Sequence, residues 1–236
     1  MSVARRTGTA AVWGLLLLLI TLGAIFLLFT LRQWRARSPK PAALPVLAAL
    51  PEFTLTNQNS QPITLADLRG KVWVADIIFT RCAGPCPKMT QQMADLQRAL
   101  AGLPDVRLVT LTTDPDYDTP PILQRYGERF KYQPARWHFL TGDKKTLARL
   151  AVGGLKLTAM EKDPAQRENE ADLFIHSTVF AVVDKQGRLR GVVETQDDEL
   201  AREEGAAHPA GMDLWNRESK PRLLEAVRQL AREPNP

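Results

Sequence analysis

The chain of 236 residues holds two cysteines, and they stand four positions apart in Thr80-Arg81-Cys82-Ala83-Gly84-Pro85-Cys86-Pro87-Lys88-Met89. An apolar, β-branched run precedes them (Val72, Trp73, Val74, Ala75, Ile77, Ile78, Phe79), which predicts a buried strand ending at Thr80. A short Gly/Pro loop follows, and a helix is expected to begin near Pro85 or Pro87. The first turn of a helix carries backbone N–H groups without intrahelical partners and the positive end of the dipole, a setting that favours a thiolate. Two thiols at such a junction can close on each other as a disulfide or share a soft metal ion. A purely structural disulfide or a pair of inert buried thiols is the competing reading, and the position directly after a core strand weighs against it.

Two thiolates make a poor closed site for most metals, whereas two thiolates and one imidazole form a soft set suited to copper; zinc would call for a fourth ligand. Of the three histidines, His176 is the best third donor, lying in a loop or at the first residue of a strand between Phe174-Ile175 and Ser177-Thr178. Its competing reading is a strand-start histidine bonded to nearby backbone. His138, between Trp137 and Phe139, reads as a satisfied core or edge residue, and His208, beside Pro209, as a solvated loop residue. Met89 and Met93 read as core packing on the inner face of the cysteine helix rather than as ligands. Asp114, Asp116 and Asp118 read as turn formers and helix caps, with either Asp118 or Thr119 able to cap the helix that starts at Pro120 or Pro121. Asp76, inside the apolar strand, is either an edge residue or a buried carboxylate beside the thiols.

The elements that must hold these residues follow from periodicity and turn chemistry. Phe53–Thr56 and Gln61–Leu65 alternate around turn material, predicting a hairpin, and Leu65–Leu68 is a helical turn closed by Gly70. The cysteine helix runs to about Leu100. Val106–Thr112 is a strand, Pro120 or Pro121 to about Phe130 a helix, Trp137–Leu140 a short strand, and Asp143–Val152 a helix stopped by Gly153-Gly154. Residues 157–173 and 195–213 are polar excursions expected to carry little regular structure. His176–Val183 and Leu189–Val193 are strands joined by an Asp184–Arg188 turn, and a last helix runs from Lys220 or Pro221 to about Arg232. This order implies an α/β domain with a central mixed sheet flanked by helices on both faces, and a thioredoxin-like fold fits it.

Residues 1–40 carry six basic and no acidic side chains, leaving 25 basic against 26 acidic in the remainder. The formal charge of +5 therefore belongs to the N-terminal flanks, and the near-neutral domain lacks the basic stripe that nucleic-acid binding requires. Residues 9–31 form an uncharged apolar stretch long enough to cross a bilayer as a helix. It runs longer than the apolar region of a cleaved signal peptide and stops at Leu31-Arg32-Gln33-Trp34-Arg35 without a small-x-small site, so an uncleaved transmembrane anchor is expected. Residues 32–51 read as a Pro/Ala-rich linker and 52–236 as the domain. Charge counting alone leans towards a cytoplasmic domain.

Three separated segments resemble one family. Phe79-Thr80-x-Cys82-x-x-x-Cys86-Pro87-x-Met89 is similar to the cysteine signature of the SCO/SenC proteins. Asp114-Pro115-Asp116-Tyr117-Asp118-Thr119-Pro120 resembles that family's second motif, and His176-Ser177 followed by Val183-Asp184-x-x-Gly187 resembles its histidine region. The resemblance spans about residues 50–193. It implies a thioredoxin-like domain that binds copper, as Cu(I) or Cu(II), through Cys82, Cys86 and His176. The implied role is delivery of copper to, or help in assembling, the copper-bearing subunit of cytochrome c oxidase, with a thioredoxin-like reductant as a further partner. It also implies a single-pass protein of the bacterial inner membrane with its domain in the periplasm or outside, against the charge count. The chain departs from the family pattern in having Ala83, Gly84 and Pro85, without an acidic residue, between the cysteines, and Ile175 where an aspartate commonly precedes the histidine; Asp172 is four residues from His176.

Three rival readings follow from the same residues. A thiol–disulfide oxidoreductase would use Cys82 and Cys86 as a redox pair and would not need His176, although most dedicated dithiol enzymes space their cysteines one residue closer. A peroxidase would need one cysteine and an activating arginine, for which Arg81 is adjacent. A purely structural assembly factor would need none of the three donors.

Overall fold

The computed structural model describes residues 4–37, 43–163, 165, 167, 174–196 and 213–235, the side chains of 4–11, 34–37, 159–161 and 174–176 excepted. The chain divides into two units, Met1–Ala43 and Leu44–Pro236. The first is the helix α1 (Ala4–Arg37), within which Val12–Gln33 is long and apolar enough to cross a membrane and none of that span is buried against protein.

The second unit is built on an eight-stranded sheet. Its strands are β1 (Ala48–Ala49), β2 (Thr54–Asn57), β3 (Pro62–Thr64), β4 (Val72–Ile78), β5 (Val106–Thr112), β6 (Trp137–Thr141), β9 (Val179–Val183) and β10 (Arg188–Glu194), in the spatial order β1-β10-β9-β4-β5-β6-β2-β3. The short pair β7 (Ala159–Glu161) and β8 (Phe174–His176) forms a separate two-stranded sheet. Strands β4, β5 and β6 are parallel, joined through α3 (Cys86–Ala99) and α4 (Pro120–Arg129), while β9 runs antiparallel beside β4. This is the thioredoxin-like arrangement that the element order implies.

Strand β4 is central because every one of its residues is buried. Its alternation sends Val72, Val74 and Ile78 to a core shared with Met89, Met93, Leu96, Tyr126, Trp137 and Phe139, whereas Trp73, Ala75 and Ile77 enter a second core with Phe53, Leu55, Leu65, Leu147 and Leu150. The first core is covered by α3, α4 and the last helix α6 (Lys220–Ala231); the second is covered by the β2–β3 hairpin, α2 (Leu65–Leu68) and α5 (Lys144–Ala148) with the π-helical turn Arg149–Leu155 that continues it. Met89 and Met93 are fully buried in the first core, as the helical spacing implies.

Several local readings change in three dimensions. The compact unit begins at Leu44 and takes in 44–51, which composition reads as linker: Ala48 and Ala49 pair with Leu189 and Arg188. The expected continuous strand His176–Val183 is broken at Ser177-Thr178, because Ser177 N–H donates to Thr158 O while Thr178 O accepts from Thr195 N–H, turning the chain from one sheet to the other. Part of the first polar excursion is therefore regular, with Ala159–Glu161 pairing against Phe174–His176. Asp172, His208, the later part of the first excursion and most of the second lie outside the described residues.

The N-terminal edge, the β9–β10 hairpin and the C-terminus meet at one buried cation. Arg190 bonds Asp184 Oδ2 at 2.8 Å, Glu233 Oε2 at 2.9 Å and the carbonyl of Leu44 at 2.6 Å. Lys185 Nζ donates to the carbonyls of Ala231 and Glu233 at the end of α6, where a cation complements both the unpaired carbonyls and the dipole. Burial works against ionisation of Asp184, but hydrogen bonds from Arg190 and Arg188 outweigh it and hold the carboxyl below the usual range. Replacing Arg190 with Ala leaves Glu233 without its cation and Asp184 with Arg188 alone, and should cost about 3 kcal/mol in denaturant unfolding. Because the folded pKa of Asp184 is depressed, its contribution is complete above the ordinary carboxylate pKa of about 3.9 and is lost as pH falls through the folded value. Acid unfolding of Asp184→Asn should accordingly show a shallower fall in stability over that range than the parent chain.

Candidate metal and dithiol site

The carboxyl end of β4 delivers Cys82 and Cys86 to the mouth of the sheet. After Phe79 the chain makes one tight turn, closed by Cys82 N–H donating to Phe79 O at 3.2 Å, and re-enters helix at Cys86 with Pro85 as its cap and Pro87 in the first turn. Proline is tolerated there because the N–H it lacks has no partner in a first helical turn. Both cysteines are thiols; Cys82 is half-buried and Cys86 fully buried, and the two lie within hydrogen-bonding reach of each other. Gly84 sits over the first of them, a Cβ at that position falling 3.8 Å from Cys82 Sγ.

The helix terminus does not set the ionisation of Cys86. Burial pushes its thiol far up, the neighbouring Cys82 pushes it further, and an opposing hydrogen bond from the Phe79 backbone is the smaller effect. Asp76 adds to this: it is a fully buried carboxylate on the same face of β4 as Cys86, accepting from Thr110 Oγ1 at 2.6 Å, so the edge-residue reading does not hold. Thr110 also accepts from Trp137 Nε1 at 2.9 Å. Thr90 donates to Cys86 O at 2.9 Å and lies 3.0 Å from the hydroxyl of Tyr126, whose ionisation burial pushes beyond its ordinary range.

The loop after β5 closes the other side. Of Asp118 and Thr119, either of which could cap α4, Asp118 turns inwards: its carboxylate accepts from Thr80 N–H at 3.1 Å, from the Thr80 hydroxyl, and from Thr112 Oγ1 at 2.5 Å. Thr119 is the cap residue of α4, without a side-chain hydrogen bond. Burial raises the carboxyl of Asp118 although these hydrogen bonds pull it down. Asp114 meets Arg81 Nη2 at 2.5 Å, and Asp116 pairs with Lys144 at 2.7 Å across the neighbouring loop. Thr80 and Asp118 are residues of the candidate site that spacing alone misses; the available signal is a Thr directly before the cysteine loop and an Asp directly before the helix-starting Thr-Pro-Pro.

His176 ends β8, its backbone opposite Ala159 and three residues ahead of β9. Since β9 runs antiparallel to β4, with Ala181 beside Ala75, the chain before β9 lies towards the end of β4 from which the cysteine loop departs. The His176 side chain lies outside the description. Among the described residues no group of three or more His, Cys, Asp or Glu side chains gathers as a metal site. His138 is on β6 between Trp137 and Phe139, on the sheet face opposite Cys86; burial, then Arg107, lowers its pKa, and its Nδ1 has no hydrogen-bond partner among the described residues, so it is not the satisfied histidine expected. Asn57, Gln58 and Thr195 complete the polar framework: Gln58 bonds the backbone of Trp137 and Phe139, and Thr195 O accepts from Gln92 on α3 at 2.9 Å.

Comparisons with known proteins agree on one assignment. The sequence profile of the SCO1/SenC family matches residues 44–207. A protein of Bacillus subtilis named as an SCO1 protein homolog is 36% identical over 154 residues, covering 63% of this chain and 77% of its own. A putative copper-binding protein of Stutzerimonas stutzeri is 33% identical over 154 residues, covering 63% and 70%. The crystal structure of a SCO1/SenC family lipoprotein from Bacillus anthracis superposes with a TM-score of 0.58 at 32% identity, covering 65% of this chain and 89% of that one. The copper-bound structure of Bradyrhizobium japonicum ScoI shares the fold, with a TM-score of 0.54 at 22% identity over 62% of this chain and 89% of its own. The chain belongs to the SCO1/SenC family.

Proposed function

We propose that this protein is a membrane-anchored copper carrier that serves assembly of a respiratory cytochrome c oxidase, with Cys82, Cys86 and His176 as the copper ligands. The observation that carries the reading is the pair of thiols held within reach of each other at the end of β4, one half-exposed and one buried. Two thiolates and an imidazole form a soft donor set that suits copper in either oxidation state. The direction in which β9 runs beside β4 supports His176 as the third donor. Membership of the family and the similarity to a putative copper-binding protein support the cargo. Residues 9–31 would be the anchor and 44–236 the carrier domain, facing the periplasm; the apolar span Val12–Gln33 supports the anchor, and a relative described as a lipoprotein supports tethering in this family. The oxidase's copper-bearing subunit would be the recipient and a thioredoxin-like protein the reductant that returns Cys82 and Cys86 to thiols.

Copper loading requires both thiol protons to leave, and the buried Cys86 gives its proton up only to a strong competitor, either the metal or a bond to Cys82. The accessible Cys82 is therefore the first point of contact. Oxidation of the pair to a disulfide releases two protons and two electrons and removes both sulfur donors. A thiol–disulfide oxidoreductase that keeps oxidase cysteines reduced is the second reading, favoured by the same proximity of the two thiols.

Anaerobic Cu(I) competition with a chromophoric chelator should find one tightly held ion per reduced chain. Loss of either sulfur should abolish that binding, and His176→Ala should weaken it by about tenfold or more. Absence of specific copper uptake, together with rapid cycling of Cys82–Cys86 against a dithiol, would leave the oxidoreductase reading in its place. In the metal-free reduced protein, Cys82 should react with iodoacetamide at least about tenfold faster than Cys86, checked by mass spectrometry of timed digests, since the thiolate is the reactive species and Cys86 is both buried and pushed away from ionisation.

A further inference from the structure

Arg81 is the residue immediately before Cys82, and its side chain reaches across to the loop after β5. Its Nη2 lies 2.5 Å from Asp114 Oδ2, and its guanidinium carbon sits 4.1 Å from the centre of the Tyr117 ring. The receiving side is fixed without it: Asp114 N–H donates to Thr112 Oγ1 at 2.9 Å, Asp114 O accepts from Asp118 N–H at 2.8 Å, and the next carboxylate, Asp116, is held by Lys144. The Asp114 side chain is 9% exposed against 41% for Arg81, so a buried carboxylate holds a half-exposed arm that lies on the exposed ring of Tyr117.

We propose that Arg81 is a positioning residue for the thiol pair. It is a latch, made by the ion pair with Asp114 and the stack on Tyr117, that holds the Cys82 end of the loop where its sulfur meets that of Cys86. This rests on the reading of Cys82 and Cys86 as the working pair. Cys86 is immobilised by the first turn of α3, whereas Cys82 stands in a loop whose following residues, Ala83 and Gly84, are exposed. Backbone anchoring by Asp118 stops at Thr80. The Cys82 N–H is itself held to Phe79 O at 3.2 Å, and Arg81 adds a side-chain anchor to the loop at the position next to the Cys82 sulfur. Pre-organising two groups that must converge raises the strength of whatever bond they make together. The charge of Arg81 is engaged by Asp114, so the latch acts through geometry, and that geometry needs a planar guanidinium, which both pairs with the carboxylate and lies flat on the ring; a lysine keeps the charge and loses the stack.

The test uses the full chain in detergent micelles and the variants Arg81→Ala, Arg81→Lys and Tyr117→Leu. The first readout is the thiol–disulfide equilibrium of Cys82 and Cys86 in glutathione buffers, where one glutathione disulfide is reduced to two thiols for each intramolecular disulfide formed. The second is Cu(I) competition against a chelator, and thermal unfolding is recorded beside both. The latch predicts that Arg81→Ala lowers the disulfide equilibrium constant and the Cu(I) affinity together by about tenfold. Arg81→Lys should recover little of either loss and Tyr117→Leu should show a smaller loss of the same kind, all with unfolding temperatures near that of the parent. Full recovery by lysine would replace positioning with a simple field effect and overturn the proposal, as would an Arg81→Ala chain with both constants unchanged. A parent chain that takes up no Cu(I) would sink the copper reading while the glutathione equilibrium still decides the latch.

Discussion

Complete burial of β4 is the constraint on which the rest of the domain depends. Its seven residues face two cores at once, and its edges are occupied by β5 and β9. A fully buried large apolar side chain contributes roughly 1.5–3 kcal/mol, so a strand with five such side chains is an anchor that the neighbouring loops cannot displace. The chain must leave this strand at its carboxyl end, between the loop after β5 and the segment that enters β9. That exit is where the cysteine loop lies, and ligand sites in open α/β sheets generally occupy that end of the strands. One polar residue is admitted, Asp76, and its partner Thr110 sits directly beside it on β5, bonded in turn to Trp137 on β6. The polar link thus crosses the three parallel strands, level between Asp76 and Thr110 and stepping two residues along β6 to reach Trp137.

Two opposing effects meet at Cys86, and their magnitudes decide its state. A helix N-terminus stabilises a nearby anion by about 0.3–1 kcal/mol, up to about 2 kcal/mol in partly buried positions, which is about one pKa unit. Removing a charged group from water costs several times more. Cys86 is wholly enclosed, so burial wins and the thiol stays protonated until a bond replaces the proton. Cys82, half-exposed on the loop, bears less of this cost. The asymmetry gives the pair an accessible member and a protected one, which suits both capture of a metal and exchange with a partner's sulfur.

The clamp formed by Thr80, Thr112 and Asp118 joins the end of β4 to the end of β5 and to the turn before α4. A buried carboxylate is costly unless hydrogen bonded, and here three donors converge on it. Its burial still raises the carboxyl, so the clamp is not a source of cheap stability. What it does is define position: the loop carrying Asp114, Asp116 and Tyr117 cannot move away from the cysteine loop without breaking a network inside the protein.

The sequence by itself determined the elements whose cause is local. The apolar run of β4, the spacing of Met89, Met93 and Leu96 on α3, the proline start of α4 and the two thiols flanking a strand-to-helix junction were all legible, because strand pleat and helical turn repeat over two to four residues. The uncharged N-terminal stretch and the three motifs that place the chain in its family were legible for the same reason. Tertiary structure alone decided that Asp118 serves Thr80 rather than capping α4, that Arg81 lies on Tyr117 and Asp114, that Ala48 and Ala49 join the sheet, and that Asp76 is buried beside Cys86. Thr80 and Asp118 are 38 residues apart and Arg81 and Asp114 are 33 apart. No periodicity spans such distances: these bonds exist because β4 and β5 lie side by side in parallel register, with Ile78 beside Thr112, and that adjacency is a property of the packed sheet rather than of any stretch of chain.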